Sequence, residues 1–337
     1  MQNSKLRIGI ISAEKSGDYL AASFIESLKS SGRDFELFGI GGKELDKFNI
    51  SRPQDFDKEI LNVMGIIDPL KNLRPILRAR KQILDFFISK NINIFIGVDS
   101  PDLNSFFHKK LKKINSIINF QIVSPSVWAW RSGRVKQLRK FIDTTFCLFE
   151  FEHEYLKKHD VNSFHVGHPF QDIKKFEDVY SIKNRYGIKN DSECLTFLVG
   201  SRRSEISNML PIYKKVIKKV YENNNSYSFL FPVVNQDHKN IIQAELSELE
   251  PPIFVQIDKM KEFLSLSTFT ISTSGTASLE AACYGNIPII CYKTSLINYL
   301  ILKPLMQTNL IGLPNLILGK NVFPELLQNQ CTPNEIF

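Results

Sequence analysis

The sequence predicts an α/β protein made of two Rossmann-like domains. Three observations carry that expectation. At 337 residues the chain has room for two domains of about 150 residues each. An apolar strand, a short polar turn and an apolar-spaced helix open the chain over Leu6–Lys29. The same order restarts at Leu195–Tyr221, after a polar stretch around Phe170–Tyr180 that reads as a linker. The expected domains are therefore residues 1–169 and 170–337.

Composition narrows the class. With 43% hydrophobic and 23% charged residues the chain is ordinary globular protein rather than disordered. Its five cysteines are odd in number and scattered, with no C-x-x-C spacing, so neither a disulfide framework nor a zinc site is expected. The start, MQNSKLRIGI, lacks the apolar core of a signal peptide. Lys293 and Lys303 interrupt the best apolar run. A cytosolic protein that can touch a membrane is the expectation. The formal net charge of +8 favours an anionic partner: nucleic acid, a lipid surface or a phosphorylated substrate.

Leu6–Ser12 is a continuous apolar run, suited to a buried parallel strand. Ala13-Glu14-Lys15-Ser16-Gly17-Asp18 reads as a turn and Tyr19–Lys29 as the helix behind it. The turn lacks the glycines of a G-x-G-x-x-G dinucleotide site. Phe35–Ile40 is the next strand, and Leu61–Ile67 is apolar around Gly65. Leu70–Ser89 has helical spacing with Arg74, Arg78, Arg80 and Lys81 interleaved. A solvated basic face fits this pattern, and so does an amphipathic element for an anionic membrane.

Ile92–Val98 is a strand ending in Asp99-Ser100-Pro101-Asp102. Carboxylates at the C-terminal end of a parallel strand sit where open α/β sheets bind ligands. Asp99 is a candidate general base, against the plainer reading of a turn cap, and Asp102 is the better helix cap. Asp-x-x-Asp without histidine or further carboxylates makes a poor metal site, and no metal is expected.

Ile117–Val123 leads into Ser124-Pro125-Ser126-Val127-Trp128-Ala129-Trp130-Arg131, followed by Arg134, Lys136, Arg139 and Lys140. Rings among cations suit nucleic-acid bases, a glycolipid or packing under a helix. Thr144–Phe149, a helix over Glu152–Lys158 and a strand at Phe164–Pro169 close this half. His168, held extended by Pro169, reads as structural.

In the second half Leu195–Val199 is a strand, Gly200–Glu205 a turn and Ile206–Tyr221 a helix. Arg202 and Arg203 stand where a guanidinium can clamp diphosphate oxygens; a surface ion pair with Glu205 is the plainer reading. Ser226–Pro232 and Ile253–Gln256 are strands with helical spacing between them. Then come the strand Phe269–Ser272, the turn Thr273-Ser274-Gly275-Thr276, the helix Ala277–Tyr284 and the strand Ile287–Tyr292. A small, hydroxyl-rich turn opening a helix offers backbone N–H groups and a positive dipole end to a diphosphate. Glu280, one turn past Thr276, suits sugar hydroxyls and would repel phosphate, a combination that points to a nucleotide sugar. An ordinary βαβ corner fits the stretch as well. Leu296–Leu305, Leu310–Leu318 with Pro314-Asn315, and a helix start at Thr332-Pro333 complete the chain.

Several of these stretches, in order, resemble one family. They are AEKSGDYLAA at 13–22, VMG at 63–65, GVDSPDLN at 97–104, SPSVWAWR at 124–131 with Arg134, VGHP at 166–169, GSRRSEI at 200–206, SGTASLE at 274–280 and LPNLI at 313–317. Together they resemble lipid-A-disaccharide synthase, an inverting glycosyltransferase of the GT-B type, with two Rossmann-like domains facing across a cleft. SPSVWAWR is the specific stretch; SGTxxxE is shared with other UDP-sugar enzymes. The resemblance implies transfer of a sugar from UDP-2,3-diacylglucosamine to 2,3-diacylglucosamine 1-phosphate (lipid X). The products are the lipid A disaccharide 1-phosphate and UDP.

By the same resemblance Asp99 and Arg202 are catalytic: Asp99 takes the acceptor proton and Arg202 supports the departing UDP. Ser274, Gly275, Thr276, Glu280 and Asn315 join Arg202 at the donor, with the turn at the phosphate and Glu280 at the ribose. Glu14, Ser16, Met64, Ser124, Trp128, Trp130 and Arg131 fall on the acceptor and membrane side. No metal, cofactor or nucleic acid is implied. The expected setting is cytoplasmic, peripheral on the anionic inner face of the inner membrane. A homodimer enters because some family members exchange C-terminal helices between protomers, and this sequence ends where those helices would begin. Lys15 stands where the family has a small residue, and Val199 where it has proline. Two other readings remain: another UDP-sugar GT-B enzyme such as a UDP-GlcNAc 2-epimerase, and an inactive relative.

Overall fold

The computed structural model describes residues 5–54, 73–114, 116–128, 132–173, 178–273, 275–294, 308 and 310–337. Met64, Trp130, Arg131 and Ser274, with the stretches Leu61–Ile67 and Leu296–Leu305, lie outside the described residues. The chain divides into two compact units, residues 1–169 and 170–337.

The first unit holds a six-stranded sheet: β1 (Leu6–Ser12), β2 (Phe35–Ile40), β3 (Ile94–Val98), β4 (Ile118–Ile122), β5 (Thr144–Cys147) and β6 (Ser163–His165). Their order is β2-β1-β3-β4-β5-β6, every neighbour parallel. Alternate residues face opposite sides of the sheet. Ile8, Ile10, Ile96, Val98 and Ile122 pack with Leu20, Ala21 and Ile25 of the helix Lys15–Ser30. Ile11 and Phe95 pack with Ile83 and Phe87 of the helix Leu73–Ser89 and with Leu103, Phe107 and Leu111 of the helix Pro101–Leu111. Removing each large side chain from water contributes about 1.5–3 kcal/mol, which is why these strands read as unbroken apolar runs.

The second unit repeats the plan with β7 (Glu193–Leu198), β8 (Tyr227–Val233), β9 (Ile253–Ile257), β10 (Phe269–Thr273), β11 (Ile287–Tyr292) and β12 (Glu325–Leu327). The order is β12-β11-β10-β7-β8-β9, again parallel throughout. Phe197, Phe229 and Phe231 pack beneath Ile206, Met209, Tyr213, Val216 and Ile217 of the helix Arg203–Asn223. Leu198, Leu264, Ala281 and Tyr284 form part of the opposite face.

Both sheets reverse their winding at one place, between β1 and β3 and between β7 and β10. The crevice outside the strand ends at such a switch point is where open α/β sheets hold ligands.

Three expectations need correcting. The helices after β1 and β7 begin at Lys15 and Arg203, earlier than their apolar spacing indicates, because Glu14 and Arg202 hold extended backbone and leave the next residues free to turn. Asp102 is not a helix cap. The residue before that helix is Ser100, with Pro101 at its first position, and Asp102 lies in the first turn paired with Arg134. Tyr180, read as linker, belongs to a helix, Val179–Tyr186, which Asp178 caps through Ser181 N at 2.8 Å and Gly187 ends in the left-handed region.

Candidate active site

In the second unit Arg202, Gly275, Thr276 and Glu280 follow the ends of β7 and β10, the two strands at the switch point. Thr273 Oγ1 donates to Leu198 O at 3.0 Å, tying the two strand ends together. From β7 the chain passes through Gly200 (φ 94) and Ser201 to Arg202. Glu205, three residues into the turn, accepts from Ser201 N at 3.1 Å and Arg202 N at 3.2 Å through Oε2. A Cβ on Gly200 would lie 2.3 Å from that oxygen, so the close approach requires glycine. Arg202 Nη1 stands 3.9 Å from Glu205 Oε1, and its side chain is 43% exposed. The ion-pair reading is therefore met, and the guanidinium still faces solvent.

From β10 the chain turns through Gly275 into the helix Thr276–Cys283. Gly275 has φ 125 and ψ −160, a region only glycine occupies readily. Among the described residues, nothing lies within 4 Å of where its Cβ would be. The helix start has no side-chain cap at this residue, and the first N–H groups of any helix have no partner within it. Thr276 is exposed and Glu280 half-buried on the same helix.

Asn315 is placed differently. It is fully buried in the helix Leu313–Leu318. Its Nδ2 donates to Asn321 Oδ1, Phe323 O and Glu325 Oε1 at 3.0, 2.8 and 2.7 Å. Its Oδ1 accepts from Val322 N and Phe323 N, both at 2.9 Å. Both ends of the amide are used in holding the 321–325 loop, while Glu325 also accepts from Ile311 N and Gly312 N.

In the first unit Glu14, Ser16, Asp99, Ser124 and Trp128 all follow the C-terminal ends of β1, β3 and β4. A Cβ on Gly17 would meet Ser12 Oγ at 2.9 Å and Asp99 Cβ at 3.5 Å, so the first turn of the helix after β1 lies against Asp99. Asp18 is buried and accepts from Gly42 N at 2.7 Å and Glu44 N at 2.8 Å; it fastens the loop after β2. Ser124 is buried, its hydroxyl donating to Pro125 O at 3.1 Å. Trp128 packs edge-on against Phe151, centroids 4.9 Å apart, and Phe151 stacks on Phe149 at 5.7 Å. Of the three readings of the aromatic stretch, packing holds for this ring. His168 stacks on Phe149 at 5.7 Å, and burial lowers its pKa to about 4, a neutral packed ring as expected.

In the same unit, over the start of the helix Pro101–Leu111, lies an open cavity of about 380 Å³ lined by Asp102, Phe106, Lys109, Pro125, Arg134 and Phe141 among others. Among the described residues no three His, Cys, Asp or Glu side chains gather as a metal site would need.

Sequence reading passed over Glu152, Gln121 and His108. Glu152 is buried in the helix Glu150–Lys157, and burial, reinforced by the nearby Asp99, pushes its pKa up to about 7 against the backbone N–H groups of Phe149 and Leu148. Gln121 and Asn119 interrupt the apolar strand β4 at i and i+2. That spacing was a usable signal, since it puts two polar side chains on one buried sheet face.

A sequence model of the family described as lipid-A-disaccharide synthetase matches residues 8–337. The lipid-A-disaccharide synthase of Hydrogenovibrio crunogenus is 35% identical over 97% of this chain and 87% of its own length. That of Acinetobacter baylyi is 31% identical over 100% of this chain and 87% of its own. Among solved structures, UDP-GlcNAc 2-epimerase from Neisseria meningitidis bound to UDP-GlcNAc matches with a TM-score of 0.61 at 13% identity, covering 94% of this chain and 90% of that one. The last is a likeness of fold. A family match over nearly the whole length, on two parallel sheets with loops gathered at their switch points, places this chain in the lipid-A-disaccharide synthase family of GT-B glycosyltransferases.

Proposed function

We propose that the protein transfers the sugar of UDP-2,3-diacylglucosamine to 2,3-diacylglucosamine 1-phosphate, giving the β-1,6-linked disaccharide 1-phosphate and UDP. The family match across residues 8–337 carries this reading. The acceptor hydroxyl oxygen attacks the anomeric carbon as the bond to UDP breaks, and its proton passes to Asp99. Negative charge develops on the departing diphosphate. Arg202 and the N–H groups at Gly275 and Thr276 neutralise it, a fixed set of donors and a helix dipole aimed at the leaving group. Glu280 takes the ribose hydroxyls. Asn315 contributes by holding the loop beside them. The base belongs to the first unit and the leaving-group donors to the second.

The cavity over the start of the helix Pro101–Leu111 suits the acceptor. Lys109 and Arg134 supply cations for a phosphate, and Phe106, Phe141 and Ile142 supply apolar wall for acyl chains. Among the described residues no helix is long and apolar enough to cross a membrane. The helix Leu73–Ser89 turns Ile76, Ala79, Ile83 and Phe87 inward and leaves Arg74, Arg78, Lys81 and the apolar Leu77 exposed. A basic face carrying apolar side chains supports contact with an anionic lipid surface, where the acylated substrates reside.

The test is direct. Purified protein incubated with UDP-2,3-diacylglucosamine and lipid X should yield disaccharide and UDP in equal amounts. Turnover of UDP-GlcNAc without disaccharide would replace this reading with the epimerase one. No turnover of either substrate set, in wild type and Asp99→Ala alike, would mark an inactive relative.

A further inference from the structure

We propose that Gln121 and Asn104 are positioning residues for Asp99: their side-chain amides lock the Asp99 backbone into the left-handed turn that sets its carboxylate. The inference rests on the reading of Asp99 as the base.

Three residues at the ends of two adjacent strands hold positive φ without being glycine. Asp99 and Ser100 follow β3 at φ 49 and 41, and Val123 follows β4 at φ 71. Each such residue costs on the order of 1–3 kcal/mol, most reliably for a β-branched side chain like valine, and persists only where its surroundings over-determine it. Here the surroundings are two amides. Gln121 Nε2 faces the carbonyl oxygens of Asp99, Ile122 and Val123 at 3.1, 3.0 and 3.3 Å. Asn104 Nδ2 donates to Asp99 O at 2.8 Å and lies 3.3 Å from Val98 O. Asp99 N in turn donates to Ile122 O at 2.9 Å. One glutamine thus joins the strained residue after β3 to the strained residue after β4.

Gln121 is itself oriented. Its Oε1 accepts from His108 Nε2 at 2.9 Å. Because the amide nitrogen is engaged with carbonyls, the imidazole must carry its proton on Nε2. His108 O accepts from Asn119 Nδ2 at 3.1 Å. Burial lowers the His108 pKa to about 4, so the ring beside this turn is neutral at physiological pH. The four side chains are at most 2% exposed. Gly97 completes the fit: a Cβ there would lie 2.7 Å from Gln121 Oε1, 2.8 Å from His108 Nε2 and 2.9 Å from Asn104 Cβ.

A purely structural purpose does not require this arrangement. The same sheet face is otherwise filled by Phe95, Leu103, Phe107 and Leu111, and apolar side chains fill such space without the cost of desolvating amides. Among the described residues Asn104 Oδ1, His108 Nδ1 and Asn119 Oδ1 are buried with no hydrogen-bond partner, so the network is not a fully satisfied one. It is concentrated on the Asp99 carbonyl, which receives both amides.

The experiment compares Gln121→Met, which keeps length and removes the donors, with Asn104→Ala and Asp99→Asn. For each purified variant kcat, the KM for both substrates, UDP affinity and Tm are measured. Asp99→Asn should lose turnover. Gln121→Met and Asn104→Ala should lower kcat ten- to a hundredfold, the scale of a misplaced catalytic group, with both KM values within about threefold and UDP affinity unchanged. A role in stability alone would lower Tm and leave kcat per folded molecule as in wild type. Should Asp99→Asn be inactive while folded Gln121→Met and Asn104→Ala keep kcat within about twofold, the positioning role is overturned and the base stands. Turnover by Asp99→Asn overturns both. If Gln121→Met does not fold, Asn104→Ala decides by the same criterion.

Discussion

Arg202 Nη1 stands 3.9 Å from Oε1 of Glu205, while the other oxygen of the same carboxylate accepts the Arg202 backbone N–H at 3.2 Å. One glutamate therefore caps the main chain of the residue proposed to face the diphosphate and stands at ion-pair distance from its guanidinium. Arg202→Ala should reduce kcat by about 10²–10³-fold, the usual loss for one donor at a developing anion. Arg202→Lys should recover little of it, since a point charge replaces a planar fork. Glu205→Ala should cost about 1 kcal/mol through the lost cap and raise the KM for the UDP-sugar. Steady-state kinetics and thermal unfolding on the same preparations separate the two effects.

Gly275→Ala tests the turn before the helix Thr276–Cys283. Its Cβ would meet no neighbouring atom within 4 Å among the described residues. The cost is backbone strain at φ 125, about 1–3 kcal/mol, together with a methyl group where a phosphate is proposed to approach. A fall of a few degrees in Tm and a larger fractional loss of UDP affinity are expected, read by calorimetric titration with UDP. Loss of Tm with unchanged affinity would place the diphosphate elsewhere.

The sheets were legible because each strand is a short apolar run bounded by small or polar residues. Leu6–Ser12, Phe35–Ile40 and Ile287–Tyr292 have the same limits in sequence and structure. The switch-point loops were legible for the same reason, since a strand's end fixes where its loop must emerge. What escaped were partnerships between residues distant in sequence. Gln121 meets Asp99 across 22 positions and His108 across 13, and no local spacing announces either. β12 is three residues long and, among the described residues, pairs with β11 alone, too short to carry a period. Asn315 could be matched to a family motif by its neighbours, yet its saturated amide depends on Asn321, Phe323 and Glu325 folding back onto it. Glu152 read as an ordinary helix glutamate because desolvation leaves no mark on sequence.

Asn315→Ala removes hydrogen bonds at both ends of one buried amide, leaving the N–H groups of Val322 and Phe323 without that acceptor. A loss of about 2–4 kcal/mol is expected, from several unsatisfied groups rather than one. The loss should be present in thermal or urea unfolding without any ligand. Unchanged stability with lost UDP affinity would instead give the amide a direct role at the nucleotide.

Glu152→Gln tests the buried carboxylate through its pH dependence. The group ionises near 4.5 in the unfolded chain and near 7 in the folded one. Between those values the folded protein keeps a proton that the unfolded chain has lost. The contribution of Glu152 to stability is therefore fully present below about pH 4.5 and is lost as the pH rises through 7. Asp99 and Cys147 are the ionisable neighbours that couple to it, and a charged Asp99 acts in the same direction by disfavouring a second anion. Glutamine is neutral throughout and can still accept from Phe149 N. Relative to wild type, Glu152→Gln should be nearly unchanged at pH 4 and more stable at pH 8, by on the order of 1–3 kcal/mol. Urea unfolding across that range measures it directly, and parallel curves for the two proteins would show that the carboxyl is not held neutral by its surroundings.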